Sequence, residues 1–440
     1  MITSTAFSGK RYAVLGLARS GMTAVETLLG SGASVIAWDS REEPRRTLEG
    51  RCELADPLSY DLAGLDGIVV SPGVPINSHA IAQAAMAAGV PLIGDIELFA
   101  LARATLPAHR VVGITGTNGK STTTALVHHL LKSAALPVRM GGNIGLPVLG
   151  QVPLAAGGVY VLELSSYQLD LTHSLDCEVA VLLNVTPDHL DRYDGFEDYA
   201  DSKARLFAMQ SERNIAVFGI GDPETRAVAA RERARHVPGT VLEVDGAELA
   251  PLQVDWPSLQ GPHNLQNAAA AVAIVSALGL TPAQWRAAMP TFRGLPHRME
   301  RVAEANGVLF INDSKATNPS SAAPALAAFP PKTHKRVHWI VGGLPKGDNL
   351  DECVPFFGNV AAAYTIGEAG PKFADLLAPL MPVRRSEMMC EAIREAIEAA
   401  GPGDVVLLSP ACASFDQFRD YEARGDAFRQ IVQALTEDAD

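Results

Sequence analysis

The chain has 440 residues, 48% of them hydrophobic, which is enough for about three domains of ordinary size with buried cores. Its formal net charge is −13 and no basic tract stands out, which argues against a nucleic-acid groove or an anionic membrane surface as partner. The five cysteines are scattered without a C-x-x-C pair, and no apolar run approaches the ~20 residues that span a bilayer. We therefore expect a cytoplasmic protein without a structural metal and without membrane insertion.

A strand, a glycine turn and a helix open the chain in "RYAVLGLARSGMTAVETLL", and "SVIAWD" and "GIVVS" predict further strands. The turn is similar to a dinucleotide-binding motif, but Ala18 stands where G-x-G-x-x-G has its middle glycine, which argues against a dehydrogenase. The turn is compatible with a nucleotide diphosphate, with polar contacts from Arg19, Ser20, Asp39, Ser40 and Arg41. On spacing alone, a packed turn with solvated charges explains the pattern equally well.

The stretch "VVGITGTNGKSTTTALVHHLL" joins an apolar strand to a glycine-rich turn and a helix start. Gly113, Gly116 and Gly119 permit a tight turn whose N–H groups approach an anion at the positive end of the helix. The generic motif G-x-x-x-x-G-K-[ST] is not matched, because Ile114 stands where its first glycine belongs. We predict a variant phosphate-binding loop; the alternative is an ordinary strand–turn–helix with capping hydroxyls.

The residues after this loop fit a bound triphosphate. Lys120 supplies a positive charge for the terminal phosphates, and the hydroxyl of Ser121 or Thr122 can reach a magnesium ion. Glu163 ends the apolar strand of "VYVLELSSYQLD", which puts a hard oxygen ligand at the sheet edge. We therefore assign Glu163 as the first magnesium ligand.

A second charged cluster follows the next buried strand in "LLNVTPDHLDRYDGFEDYADSKARLF". Its polar members are Asp188, His189 and Asp191, with Lys203 further along on a predicted helix. Taken alone, the cluster is explained either as part of a functional site or as a capped, solvated loop.

The last third of the chain repeats the strand–helix alternation. Strands are predicted at "VHWIVGG", "AAAYTIG" and "DVVLLSP", separated by Ala-rich helical segments such as "CEAIREAIEAA". Strands that are continuously apolar are typical of parallel sheets covered on both faces. The predicted fold class is α/β, with three such units in succession.

Several motifs together resemble the Mur ligase family, the ATP-dependent amide-forming enzymes of peptidoglycan and hence cell wall synthesis. They are "GTNGKSTT", "LELSSYQLD", "NVTPDHLDRY", "GPHNLQNAAAA", "GLPHRME", "NDSKATNP" and "LSPACASFDQF". The match runs in order to residue 428, so it covers nearly the whole chain. "NDSKATN" and "SPACASFDQF" are similar to the members that add D-glutamate to UDP-N-acetylmuramoyl-L-alanine, whereas "GTNGKS" is shared with folylpolyglutamate synthases.

The resemblance implies three domains. They are a Rossmann-like UDP-substrate-binding domain at residues 1–105, a central ATP-binding domain with a parallel sheet at 106–297, and a Rossmann-like amino-acid-binding domain at 298–440. It also implies that the γ-phosphate of ATP passes to a substrate carboxylate, and that an amino group attacks the resulting acyl phosphate. Two anions meet in that reaction, so paired magnesium ions and Lys120 are needed to neutralise them. We expect a monomer.

The resemblance assigns the site residues by position. The ATP site comprises Gly116, Thr117, Asn118, Gly119, Lys120, Ser121, Thr122, Asn267, Arg298 and Asp313. The UDP-substrate site gains Ser71, Gly73 and Asn143, and the amino-acid site comprises Lys315, Thr317, Lys346, Ser414 and Tyr421. His297 lies beside the ATP contacts without an assigned role.

The metal and catalytic residues follow from the same resemblance. Ser121 and Glu163 match ligands of the first magnesium ion, and His189 matches a ligand of the second. Lys203 matches a lysine that carries CO2 as a carbamate, which is physically reasonable because a carbamate is an extended carboxylate, whereas an ammonium repels magnesium. Lys120, His189 and Lys203 are the expected catalytic residues.

Three other functions stay open at this point. Tyr421 stands where the family pattern has Phe, and the "GGLPKGDN" loop around Lys346 also departs from it, which leaves a ligase that adds L-glutamate. A folylpolyglutamate synthase-like ligase shares the phosphate loop, although a UDP site in the N-terminal strand–helix segment disfavours this alternative. An ATP-gated binding or scaffold protein without chemistry is the third alternative.

Overall fold

The computed structural model describes residues 1–188, 192–345, 347 and 349–437. The chain forms two compact units, one made of Met1–Leu249 and Gln266–Met289 and the other of Ala250–Leu265 and Pro290–Asp440. Within the described residues no helix is both long enough and apolar enough to cross a membrane.

The first sheet belongs to the first unit and is parallel, in the order β3-β2-β1-β4-β5. Its strands are β1 Arg11–Leu15, β2 Ser34–Trp38, β3 Glu53–Leu54, β4 Gly67–Val70 and β5 Leu92–Ile93. The helices of this part are α1 Arg19–Gly30, α2 Glu42–Arg46, α3 Ile81–Ala88 and α4 Asp95–Ala102. All four residues of β4 are buried, as expected for a strand covered on both faces.

The second sheet, also in the first unit, is parallel with the order β11-β10-β9-β6-β8-β7. Its strands are β6 His109–Thr115, β7 Val138–Gly142, β8 Gly158–Glu163, β9 Val179–Leu182, β10 Ile215–Gly219 and β11 Val241–Val244. The helices are α5 Lys120–Ser133, α6 Ser166–Asp170, α7 Phe196–Ala208, α8 Pro223–Arg235, α9 Pro262–Ala277 and α10 Pro282–Ala288. The predicted phosphate loop joins the central strand β6 to α5, where ligands of open α/β sheets bind.

The third sheet lies in the second unit and has the order β12-β13-β17-β14-β15-β16. Its strands are β12 Glu300–Ala305, β13 Val308–Asn312, β14 Val337–Gly342, β15 Val360–Ile366, β16 Val383–Glu387 and β17 Val405–Leu408. The helices are α11 Pro319–Ala327, α12 Gly370–Leu377, α13 Met389–Ala399 and α14 Tyr421–Glu437. Strands β12 and β13 are antiparallel and the other neighbours are parallel.

The predicted fold class, α/β with three sheets in succession, is confirmed. The domain boundaries placed after residues 105 and 297 stay predictions. Apolar side chains fill both faces of the third sheet, with Trp339 in the cluster on one face and Tyr364 in the cluster on the other. The polar residues discussed below therefore lie on loops and strand ends that a packed core supports.

Candidate functional site

The phosphate loop folds tightly between β6 and α5. Gly119 has φ +83°, and a Cβ atom added there would lie 2.1 Å from Oδ1 of Asn267. Only glycine fits this position, because both the backbone conformation and the space forbid a side chain. The loop and Asn267, both predicted to contact ATP, are therefore in close contact within the first unit.

Lys120 lies over its own loop. Its Nζ atom donates hydrogen bonds to the carbonyl oxygens of Gly116 and Thr117, each at 2.8 Å. Ser121 is buried on the first turn of α5. An ammonium group at the positive end of a helix suits the terminal phosphates of a nucleotide.

Residues that the sequence reasoning did not single out hold the loop in place. The side chain of Asn184, just after β9, accepts from the N–H of Asn118 at 2.8 Å and donates to its carbonyl oxygen at 3.1 Å. The hydroxyl of Thr117 lies 3.2 Å from that of Tyr199 and accepts from the N–H of Thr186 at 3.0 Å. The loop is thus preorganised by two hydrogen-bonded segments of the same unit.

Glu163 ends β8 beside the phosphate loop, in register with Ile114 of β6. Its side chain is 2% exposed, and Oε1 accepts a hydrogen bond from Nδ2 of Asn143 at 3.0 Å. Oε2 is buried and has no hydrogen-bond partner among the described residues. A buried carboxylate oxygen left without a partner is costly, so this residue fits a role as cation ligand.

Lys203 on α7 is also buried, and its Nζ atom donates to the carbonyl oxygen of Gly116 at 3.1 Å. Nζ lies 4.4 Å from the centre of the Tyr199 ring. Burial, reinforced by the charge of Lys120, lowers the pKa of Lys203 well below its ordinary value. The lysine predicted to carry a carbamate therefore touches the phosphate loop.

Two predicted residues, His189 and Lys346, lie outside the described residues. Among the residues that are described, no three His, Cys, Asp or Glu side chains form a group able to hold a metal ion. The second magnesium ion and one amino-acid contact therefore stay predictions.

Most of the predicted UDP-substrate residues line a cavity of about 430 Å³. All residues that line this cavity belong to the first unit. Its walls include Arg19, Ser20, Asp39, Arg41, Ser71, Gly73 and Asn143, and also Gly16, Gly142 and Gln168. Ser40 is exposed and does not line the cavity. Asn143 belongs to the cavity wall and also donates to Glu163, so it joins this cavity to the candidate cation ligand.

Asp39 is the anchored acid of this cavity. Its carboxylate accepts from the N–H of Leu17 at 2.7 Å and from that of Arg41 at 2.9 Å. Burial by itself would raise the pKa of Asp39, but the hydrogen bonds from Arg41 and Leu17 outweigh burial and lower it to about 2. Asp39 is therefore an ionised hydrogen-bond acceptor at neutral pH, as recognition of N–H and O–H groups requires.

The first glycine turn has glycine at the two outer positions of the dinucleotide motif, where an added side chain would collide with its surroundings. Gly16 has φ +86°, and a Cβ atom on Gly21 would lie 1.8 Å from the carbonyl oxygen of Gly16. Ser71 donates from its hydroxyl to that same carbonyl oxygen at 2.7 Å. The outer two glycines thus pack the turn against helix α1 and strand β4, whereas Ala18 faces the cavity.

The second unit carries the remaining predicted residues. Asp313 follows β13, and its oxygens accept from the N–H of Met299 at 3.1 Å and from the hydroxyl of Ser409 at 2.8 Å. Burial raises the pKa of Asp313 to about 7, although the positive charge of Arg298 opposes the rise. Arg298 and Asp313, both expected to contact ATP, are thus electrostatically coupled.

Three of the predicted amino-acid residues, Lys315, Ser414 and Tyr421, can be described in the second unit. Nζ of Lys315 lies 3.9 Å from the centre of the Tyr421 ring, a cation–π distance. The N–H of Lys315 donates to the carbonyl oxygen of His297 at 3.0 Å, and Ser414 is buried. His297 has a lowered pKa because it is buried, and its ring packs against that of Tyr421.

Arg424 holds together two loops of the second unit and was missed by the sequence reasoning. Its side chain is 1% exposed, and it donates to the carbonyl oxygens of Cys412, Ala413 and Ser314 and to the Ser314 hydroxyl, at 2.9 to 3.1 Å. The partners lie 11, 12 and 110 residues away along the chain, so no local pattern could reveal them. Arg424 ties the loop that carries Lys315 to the loop that carries Ser414.

Three successive parts of the chain match known protein families. Residues 10–94 match the MurD-like N-terminal domain of Mur ligases, residues 114–248 the Mur ligase middle domain, and residues 297–412 the glutamate ligase domain. A solved alanine ligase of the family from Thermotoga maritima has a TM-score of 0.57 at 16% identity, covering 97% of this chain and 99% of that one. That likeness concerns the fold.

Curated relatives are much more similar in sequence. A protein of Novosphingobium aromaticivorans named UDP-N-acetylmuramoylalanine–D-glutamate ligase is 69% identical, over 100% of this chain and 98% of its own length. Proteins with the same name from Sphingopyxis alaskensis and Zymomonas mobilis are 57% and 53% identical, over 99% of this chain and all of theirs. The chain therefore belongs to the Mur ligase family.

Proposed function

We propose that this chain is an ATP-dependent ligase that joins D-glutamate to UDP-N-acetylmuramoyl-L-alanine in peptidoglycan synthesis. The relatives of that name match it along its whole length, at 53% to 69% identity. The observation that carries the proposal is the contact between Asn143 and Glu163, because it joins a cavity suited to a UDP-linked substrate to the acid beside a phosphate loop. A donor carboxylate and a nucleotide triphosphate meet at such a junction.

The reaction transfers the γ-phosphoryl group of ATP to the L-alanyl carboxylate, and ADP leaves as the P–O bond to the β-phosphate breaks. The amino group of D-glutamate then attacks the acyl carbon, and phosphate leaves as the amide forms. The loop N–H groups and Lys120 neutralise the charge that moves between the phosphates. Asn184 and Tyr199 keep the loop in position for this transfer.

Magnesium, when bound, neutralises the negative charge of the triphosphate and of the attacking carboxylate. Ser121, Glu163, His189 and a carbamate on Lys203 are the groups that we assign to hold it. The unpartnered Oε2 of Glu163 supports this assignment, as does the burial of Lys203. A lysine with a lowered pKa presents the neutral amine that reacts with CO2, giving a carbamate and releasing a proton.

Lys315, Thr317, Lys346, Ser414 and Tyr421 of the second unit are proposed to bind the incoming amino acid. Arg298 and Asp313 of the same unit, and Asn267 of the first unit, are proposed as further contacts to ATP. Lysines suit the two carboxylates of glutamate, and hydroxyls orient them. We further propose that the enzyme works as a monomer in the cytoplasm, where UDP-linked precursors are made.

The decisive experiment is phosphate release from ATP, measured with UDP-N-acetylmuramoyl-L-alanine and a panel of amino acids. We expect release that needs both the UDP substrate and D-glutamate. Release that ignores the UDP substrate but responds to a folate would favour the folylpolyglutamate synthase-like alternative. Absence of any dependent release would favour a binding or scaffold protein.

A further inference from the structure

Asp95 is a buried acid that the proposed reaction does not use. It begins helix α4, is 2% exposed, and both of its carboxylate oxygens are buried without a hydrogen bond of normal geometry to any described residue. Four groups act on it as weak hydrogen-bond donors: first the backbone N–H groups of Ile96 and of Asp95 itself, and then the side chains of Gln168 and Ser20. A buried carboxylate whose oxygens lack a hydrogen bond of normal geometry is costly to folding, so its presence calls for an explanation.

The two polar side chains next to Asp95, those of Gln168 and Ser20, line the cavity assigned to the UDP-linked substrate. Gln168 uses its side-chain oxygen to accept from the N–H and hydroxyl of Ser165, each at 3.1 Å, which leaves its amide nitrogen as the donor end. Ser20 lies on the first turn of α1, where backbone N–H groups favour an anion. Asp95 therefore stands directly behind the wall that would face a diphosphate.

We propose that Asp95 is a proton-linked positioning residue for the UDP-linked substrate, whose diphosphate binds together with uptake of one proton by the Asp95 carboxyl group. This inference rests on the proposed function, because it takes the cavity to be the UDP-substrate site. It adds a group that lies outside the cavity and controls the orientation of a hydroxyl inside it.

The physical reason is the direction of the Ser20 hydroxyl. When Asp95 is ionised, its negative charge turns the proton of the Ser20 hydroxyl towards the carboxylate, and the lone pairs of the hydroxyl oxygen then face the cavity and repel phosphate. When Asp95 is protonated, its O–H donates to Ser20 Oγ, which frees the Ser20 proton to donate to a phosphate oxygen. Protonation also removes a negative charge from behind the anion site.

Burial raises the pKa of Asp95 to about 6, against the opposing effect of its weak hydrogen bonds. The charged side chains on the surrounding elements are Arg19 and Glu26 of α1, Asp170 of α6, Arg103 after α4 and Glu97 of α4 itself. Glu97 accepts from Ser174, and Arg103 pairs with Glu178. Burial, and not a charged neighbour, is thus the main cause, so an incoming diphosphate raises the pKa further.

The sign of the pH dependence follows. The Asp95 carboxyl group has a higher pKa in the complex than in the free protein. The affinity for the UDP-linked substrate is therefore highest below about pH 6. It falls as pH rises towards the pKa of the complex, by up to about tenfold per pH unit. A diphosphate diester stays fully ionised over this range, so the ligand itself contributes no titration.

Proton uptake can be measured directly by titration calorimetry of the full chain with UDP-N-acetylmuramoyl-L-alanine at pH 7.5, in buffers of different ionisation enthalpy. We expect the wild type to take up a substantial fraction of a proton. Asp95→Asn presents an amide that donates to Ser20 as the protonated acid does, so we expect tight binding with that uptake lost. Asp61→Asn is the matched control, since Asp61 is an exposed acid that caps a turn at the N–H of Ala63, 3.0 Å away.

Equal uptake by wild type and Asp95→Asn would overturn the inference, and so would the absence of uptake in the wild type. If Asp95→Asn does not fold, the infrared spectrum of the wild type decides, because a protonated carboxyl band should appear when the ligand is added, and its absence rejects the idea. Failure of the UDP ligand to bind at all would instead count against the proposed function.

Discussion

The Nζ atom of Lys203 lies 3.1 Å from the carbonyl oxygen of Gly116, so a buried lysine of helix α7 touches the phosphate loop. A bare ammonium at that point would oppose a magnesium ion, whereas a carbamate would attract one. The lowered pKa of Lys203 favours the neutral amine that captures CO2. The contact thus links the state of one side chain to the charge around the bound nucleotide.

The first prediction is that Lys203 carries a carbamate. Carbon-13 bicarbonate should give a carbamate signal in the wild type that Lys203→Arg lacks, and turnover of this variant should fall by at least about a hundredfold. Lys132→Arg, at an exposed lysine of α5, should keep both the signal and the activity. A Lys203→Arg enzyme with wild-type signal and rate would show that the lysine is not modified.

The second prediction concerns Lys120, whose Nζ atom donates to two carbonyl oxygens of its own loop. Lys120→Ala should leave Tm nearly unchanged and lower turnover by about two to three orders of magnitude, because it removes a charge needed in phosphoryl transfer. Lys132→Ala, on the same helix, serves as the control for loss of a lysine. Near-normal turnover in a folded Lys120→Ala enzyme would refute the assignment.

The third prediction separates two effects of an added side chain, backbone strain and collision with a neighbour, by comparing Gly119 of the phosphate loop with Gly157. Gly119 and Gly157 have nearly equal φ angles, +83° and +84°, but an added Cβ meets Asn267 at 2.1 Å in the first case and nothing within 4 Å in the second. Gly157→Ala should therefore cost only about 1–2 kcal/mol of backbone strain. Gly119→Ala should in addition displace Asn267 and weaken ATP binding severely.

ATP affinity and Tm of the two glycine variants test this difference. If both variants bind ATP as the wild type does, the loop is more tolerant than its geometry indicates, and the assigned contact between Gly119 and Asn267 has no role in nucleotide binding.

The residues that could be predicted from sequence are those whose chemistry depends on near neighbours. Gly119 and Lys120 belong to one short motif, which predicts a loop before a helix. Glu163 ends an apolar strand, so its place at the sheet edge followed from the hydrophobic pattern. Asn184 and Arg424 could not be found in this way, because their partners lie 66 and 110 residues away. Asp95 escaped notice for a different reason, because an acid at a helix start is normally an exposed cap, whereas this one is buried.

The fourth prediction concerns Arg424, whose four hydrogen bonds join two loops of the second unit. Arg424→Met fills similar space but leaves buried carbonyl oxygens without donors, so it should lower the free energy of unfolding by about 2–3 kcal/mol. It should also raise KM for D-glutamate more than it lowers kcat, because Lys315 and Ser414 lose their relative position.

Arg419→Met is the control for this change, since the Arg419 side chain is 82% exposed. Thermal unfolding and steady-state kinetics of both variants provide the measurement. An unchanged KM for D-glutamate in Arg424→Met would limit Arg424 to a role in stability.

The last prediction concerns the chirality of the acceptor amino acid. This question is open because Tyr421 stands where the family pattern has Phe. The Lys315 ammonium lies 3.9 Å from the Tyr421 ring centre, so the face of the ring, which Phe shares, holds the lysine, and the hydroxyl is not needed for that contact. We therefore expect D-glutamate to be used far better than L-glutamate, because rigid donors cannot meet the amine and both carboxylates of the wrong enantiomer at once.

Tyr421→Phe should keep this preference and change KM only a few-fold, about 1 kcal/mol or less. Tyr421→Ala should lose the stacked lysine and raise KM much more. Side-by-side turnover of the two enantiomers by wild type and both variants tests the argument, and faster reaction with L-glutamate would reverse the assigned chirality while leaving the acyl-phosphate chemistry intact.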